Sequence, residues 1–153
     1  MKKLLFLLSI SILGLFACNK DQETTKQPAK NVKEALARIS AVSTWKVNQI
    51  TLDGVLKFDD GLALDPDYNG IAEWLKFNTV NKTIEVKYLD GDEISTFSYV
   101  IDEVNQTFKV IDSSNGGDEE VYTIKAGSVY DDKFELDATY DNRVEVVKLV
   151  PKP

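Results

Sequence analysis

The sequence contains no histidine. Imidazole is therefore missing from any mechanism the chain could run, which removes His-based triads and every zinc site that needs a histidine nitrogen. There is a single cysteine, Cys18. One thiol cannot close an internal disulfide, so the fold must rest on packing and backbone hydrogen bonds. Basic residues are also scarce, with 18 Lys and Arg against 25 Asp and Glu and a formal net charge of −7. An acidic chain with no basic stripe repels phosphate backbones, so nucleic acid is not an expected partner. No nucleophile motif and no phosphate-cradling glycine loop is present. With so many carboxylates, chance pairs are common and no acid/base dyad stands out. The chain does not read as an enzyme.

What the sequence does have, at its start, is apolar surface. Lys2 and Lys3 precede an apolar run over residues 4–16, broken by Ser9, Ser11 and Gly14. The run is too short to span a bilayer and abuts a polar stretch, the pattern of a signal peptide. Leu15-Phe16-Ala17-Cys18 resembles the lipobox of bacterial lipoproteins. The resemblance implies diacylglycerol on the Cys18 sulfur, cleavage before Cys18, and acylation of the new amine by a chain such as palmitate. Two or three acyl chains, at about 0.8 kcal/mol per buried CH₂, would fix the protein to a membrane.

The expected division is then residues 1–17 as signal peptide, residues 18–30 as lipidated cysteine and flexible tether, and residues 31–153 as one domain. Asn19-Lys20-Asp21-Gln22-Glu23 looks like the signals that send some Gram-negative lipoproteins to the cell surface. The expected location is the cell envelope, as an outer-membrane lipoprotein displayed outward. Residues 19–30 lack apolar periodicity, and a coil of that length spans about 20 Å.

In the domain, Val32, Leu36 and Ile39 share one helical face over residues 31–41. Asn31 and Glu34 stand at capping-box spacing. From Trp45 onward the apolar period becomes two. Ile84, Val86 and Tyr88 form one dry face, Phe97, Tyr99 and Ile101 a second, and Phe134, Leu136, Ala138 and Tyr140 a third. Asp90-Gly91 suits a tight hairpin with positive φ, and Asn81, Asn105, Asn115-Gly116-Gly117 and Asp141-Asn142 mark further reversals. Strands are predicted over 44–52, 55–58, 73–79, 83–89, 94–102, 107–112, 119–126, 132–140 and 143–150. Even spacing predicts a mainly β fold: an antiparallel up-and-down barrel of eight to nine strands behind a short N-terminal helix, closed because closure removes sticky edges.

Ser43-Thr44-Trp45-Lys46-Val47 opens the first strand after a short helix, hairpins follow, and the chain ends Val144-Glu145-Val146-Val147-Lys148-Leu149. This layout, over roughly residues 40–150, is similar to the lipocalin-like domain of bacterial lipoproteins. Where the lipocalin signature has glycine two residues before the tryptophan, this chain has Ser43. The resemblance implies an eight-stranded barrel, often with a cavity for a small apolar molecule, and Lys148 packed over Trp45.

Trp45, Phe97, Tyr99, Tyr122, Phe134 and Tyr140 are the candidate ligand walls, or core if the barrel is filled. Asp65-Pro66-Asp67-Tyr68-Asn69-Gly70 has the D-x-D-x-N-G spacing of a calcium loop. Its candidate ligands are Asp65, Asp67, Asn69 and Glu73. Lys76 occupies the position of the bidentate glutamate, so a polar turn between strands is the preferred reading and calcium the alternative. Acidic runs at Asp118-Glu119-Glu120 and Asp131-Asp132 read as solvated loop tips. The function expected is that of a monomeric, lipid-anchored binding protein for a small apolar or amphipathic ligand. The alternative is a surface interaction module with a filled barrel, contacting protein or glycan through its loops and exposing an apolar patch near Tyr68 and Trp74.

Overall fold

A computed structural model describes residues 27–112 and 120–153. The leader, Cys18 and its acidic neighbours, the Asn115-Gly116-Gly117 turn, Asp118 and Glu119 lie outside the described residues.

One helix, α1 (Val32–Ala41), precedes ten strands: β1 (Trp45–Leu52), β2 (Val55–Asp59), β3 (Leu62–Ala63), β4 (Ala72–Asn78), β5 (Thr83–Tyr88), β6 (Ile94–Asp102), β7 (Thr107–Asp112), β8 (Glu120–Lys125), β9 (Phe134–Tyr140) and β10 (Arg143–Pro151). Helix α1 starts where the capping pattern places it. Asn31 Oδ1 accepts from the Glu34 N–H at 2.9 Å, and the Glu34 carboxylate accepts from the Lys30 N–H at 3.0 Å. Its buried face is Val32, Ala35 and Ile39, with Leu36 half-buried. Ala29, assigned by sequence to the tether, is buried, and its N–H donates to the Val129 carbonyl at 2.8 Å.

Strands β4 to β10 pair in chain order, and β10 pairs back onto β1. Strand β1 closes the ring by pairing Trp45 with Leu75 and Lys46 with Trp74 on β4. The result is a closed eight-stranded antiparallel barrel. The predicted strand at 55–58 exists but stands outside the ring. Past the β-bulge at Asn48, β1 leaves β4 and gives the same edge to β2, pairing Gln49 through Leu52 with Asp59 through Val55. The two-residue strand β3 continues this flap, and no apolar period could announce so short an element.

Tight turns occur where the chain tolerates positive φ. Asp53-Gly54 (φ 51° and 79°), Asp60-Gly61 (44° and 97°) and Asp141-Asn142 (49° and 61°) each join adjacent strands through two left-handed residues. Asp90-Gly91 does not. Gly91 has no positive φ, and the β5–β6 connection runs over residues 89–93.

Two further loops share one design. In Asn78-Thr79-Val80-Asn81-Lys82-Thr83, the Asn78 side chain accepts from the Val80 and Asn81 N–H groups and Lys82 takes φ 53°. In Asp102-Glu103-Val104-Asn105-Gln106-Thr107, Asp102 accepts from Val104 and Asn105 and Gln106 takes φ 54°. The short polar side chain caps the turn and the left-handed residue returns the chain to the next strand.

The barrel ends differ. At the α1 end the interior is solid. Trp45 meets Phe134 edge-on at 4.8 Å, and Phe77 contacts Phe134 at 5.8 Å and Phe108 at 6.1 Å. Such pairs contribute about 0.5–1.5 kcal/mol each beyond simple burial. Helix α1 lies across this end, held by Trp45 Nε1–H donating to the Ile39 carbonyl and by the Val32 N–H donating to Gln106 Oε1, both at 2.8 Å. Among the described residues, no helix is long and apolar enough to cross a membrane.

Candidate ligand cavity

The other end of the barrel is hollow. A cavity of about 680 Å³ occupies it, open to solvent and bordered by Lys57, Asp65, Asp67, Tyr68, Arg143 and Glu145. A volume in the range 300–1,000 Å³ is that of small-molecule sites. Alternation explains its wall. Val47, Ile84, Val86, Val110, Leu136 and Val147 are buried inward positions of their strands. Tyr88, Phe97 and Tyr122 add aromatic surface higher up.

The mouth carries the charge. Lys57 and Asp65 face each other at 2.7 Å, and the Arg143 guanidinium donates to Asp53 at 3.2 Å. The Asp65 carboxyl is held below the ordinary carboxylate range, first by Lys57 and then by the Asp67 N–H. Asp53 is lowered as well, first by the Val144 N–H and then by Arg143. Inside the rim, Glu145 is only 8% exposed and accepts from the Tyr68 hydroxyl at 2.9 Å. Tyr68 belongs to a single 3-10 turn, Pro66–Tyr68, and lines the cavity. Around the rim Val55, Leu89, Ile94 and Val144 are exposed apolar residues.

The sequence-derived candidates divide between the two halves. Phe97 and Tyr122 line the cavity. Trp45 and Phe134 do not; both are fully buried in the aromatic plug. Tyr99 is buried against Phe77 and Phe108 and borders a shallow groove beside α1, and burial pushes its hydroxyl pKa up. Tyr140 ends β9, and its side chain lies outside the described residues. Period-two reasoning assigns a face to each side chain but not a height along the barrel, and height is what separates plug from cavity.

Lys148 does not cover Trp45. It sits on the outer face of β10, between buried Val147 and Leu149, and faces Glu135 at 3.9 Å, whereas Trp45 points inward. Tyr68 is not part of an exposed patch, and Trp74 is half-buried.

Asp65, Asp67, Asn69 and Glu73, the candidate calcium ligands, have other partners. Asp65 caps the 3-10 turn and pairs with Lys57, while Glu73 is taken by Lys152 at 2.6 Å and Lys87 at 3.1 Å. Among the described residues no cluster of three acidic side chains could hold a metal ion. The D-x-D-x-N-G spacing serves a polar turn, with Gly70 at φ 74°.

Sequence reasoning missed Glu145 and Tyr68. On β10 one face reads Glu145, Val147, Leu149 and the other Val144, Val146, Lys148. Each has one charge and two apolar residues, so alternation alone cannot say which is dry. Pairing of Val147 with Leu136 settles it. No protein-family model, curated protein or solved structure matches this chain significantly.

Proposed function

We propose that this protein is a lipid-anchored component of the bacterial cell envelope whose lipocalin-like barrel holds a small apolar or amphipathic ligand. One observation carries the binding role: an apolar cavity of about 680 Å³ within the ring of strands, open at one end. Burying apolar ligand surface there gains about 25 cal/mol per Å² before the cost of association. The interaction-module reading needs a packed interior, and only the half beside α1 is packed. The lipobox-like Leu15-Phe16-Ala17-Cys18 supports the anchor.

The binding role is tested by titrating the ¹⁵N-labelled full chain, held in phospholipid nanodiscs, with 1-decanol. Saturable shifts are expected at the amides of Ile84, Val86 and Leu136. They should weaken in Leu136→Trp, whose larger side chain takes up part of the space. Shifts that stay linear with decanol remove the proposal. The anchor is tested by mass spectrometry of protein extracted from membranes. An acylated chain beginning at Cys18 is expected, and an unmodified Cys18 refutes it.

A further inference from the structure

The segment that follows Cys18 joins the barrel at the α1 end. Taking Cys18 as the lipid anchor, on which this step rests, we infer that the α1 end is the face turned to the anchoring membrane. Val80 and Val104 enter the lipid interface there, and the cavity opens away from the bilayer.

Three contacts fix where the chain joins. Arg38 on α1 donates to the Gln27 carbonyl at 2.7 Å, the Ala29 N–H donates to the Val129 carbonyl at 2.8 Å, and the Val32 N–H donates to Gln106 Oε1 at 2.8 Å. Alternate connections of an antiparallel ring share an end, and β4–β5, β6–β7 and β8–β9 share this one. Cys18 stands nine residues before Gln27. Even fully extended, that length reaches about 30 Å at most. The ring strands have six to nine residues. Tilted strands of that length set the far end about 20 Å off, and the width of the helix adds about 10 Å. A bilayer against the far end would therefore require a taut connection, at the full cost of its conformational entropy. A bilayer against the α1 end requires no such extension.

This end also carries the two most exposed large apolar side chains among the described residues. Val80 is 90% exposed and Val104 91%. They hold the same place in the two capped loops, two residues past Asn78 and Asp102, whose side chains fix the turns. Their neighbours Thr79 and Glu103 border one shallow groove with Lys33 and Leu36 of α1, so both tips and the helix belong to one surface. A turn already fixed loses little freedom when its tip is buried.

Charge gives the same direction. The α1 end exposes Lys30, Lys33, Lys82 and Lys133 beside Glu103, Asp131 and Asp132. The opposite end exposes Asp53, Asp90, Asp92, Glu93 and Asp141 around Arg143. Anionic phospholipid attracts lysine and repels carboxylates. Val55, Leu89, Ile94 and Val144 are exposed too, but among those acids.

The test places the ¹⁵N-labelled full chain, extracted with its anchor, in nanodiscs of phosphatidylethanolamine and phosphatidylglycerol. A trace of lipid carries gadolinium on its head group, which broadens nearby amide signals and fades steeply with distance. Broadening at Lys82 and Asn105 is expected to exceed that at Asp92 and Asp141 at least about tenfold, because the strands hold the two ends about 20 Å apart. Val80→Asp combined with Val104→Asp should reduce broadening at Lys82 and Asn105 at least about twofold, since charged tips stay in water. Equal broadening at the two ends, or stronger broadening at Asp92 and Asp141, overturns the inference. So does an unchanged profile in the double variant, or crosslinking of two copies through Lys82 with no broadening there, which would give the tips to a second copy. The wild-type profile stands without the variant. An acylated chain with the wrong profile loses the orientation and keeps the anchor, whereas an unmodified Cys18 in mass spectrometry removes both.

Discussion

The indole N–H of Trp45 donates to the carbonyl oxygen of Ile39 at 2.8 Å, between two residues with no exposed surface. It ties the last turns of α1 to the first residue of β1, so helix and barrel share a buried polar contact. Trp45→Phe removes the donor and part of the ring and leaves Ile39 the longer 3.3 Å bond from the Val42 N–H. A loss of about 2–3 kcal/mol is expected from urea unfolding. A loss under about 0.5 kcal/mol would show that the contact carries no stability.

The two capped loops permit a matched experiment. Lys82 and Gln106 occupy equivalent positions with φ of 53° and 54°. A left-handed conformation costs a non-glycine residue about 1–2 kcal/mol, so Lys82→Gly should stabilise the fold by about 0.5–1 kcal/mol after the entropy of glycine is subtracted. Gln106→Gly should not, because Gln106 Oε1 accepts from the Val32 N–H at the start of α1. Equal thermal shifts in the two variants would contradict this account.

Gly70 is constrained twice. Its φ is 74°, and a Cβ built on it falls 2.5 Å from the Asp90 carboxylate at the neighbouring end of β5. Gly70→Ala should cost about 1–3 kcal/mol. Adding Asp90→Ala should return the steric part and leave the backbone part, so chemical denaturation of the pair gives an intermediate value. Full recovery would mean that backbone conformation contributes nothing.

The sign of the acid response follows from the carboxylates. Glu34 is held below its ordinary value first by the Lys30 N–H, Asp53 by the Val144 N–H, Asp65 by Lys57, Glu73 by Lys152 and then Lys87, and Asp102 by the Asn105 N–H. A carboxyl made more acidic by folding stabilises the fold above its unfolded pKa, and that stability is lost as pH falls through the folded value. Thermal midpoints should therefore be level from about pH 8 to 6 and decline below about pH 4.5. Glu73→Gln should make that decline shallower. A midpoint that rises on acidification would refute this assignment.

Much of the barrel is legible in residues 45–150 because one physical rule, inside against outside, repeats every two positions. The strand at 94–102 and the strand at 107–112 appear with the boundaries that alternation predicts. Helix α1 is equally readable, since Asn31 and Glu34 are in fact its cap. The misreadings arise where a local signal competes with long-range packing. Asp90-Gly91 looks like a hairpin turn, yet the tight turns fall at Asp53-Gly54 and Asp60-Gly61, and only strand pairing decides which Asp-Gly is used. Tyr68 lies inside a motif that reads as an ion loop, and its burial comes with a long-range contact to Glu145 that no local pattern announces.

The partner switch of β1 also leaves a seam in the vessel. Beside α1 the wall is continuous, because β1 hydrogen-bonds directly to β4. Past Asn48 the same edge of β1 turns to β2, and the two-residue β3 follows on the far side of that flap. Main-chain pairing therefore stitches β1 to β4 at Trp45 and Lys46 alone, and the rest of that join depends on what the side chains do.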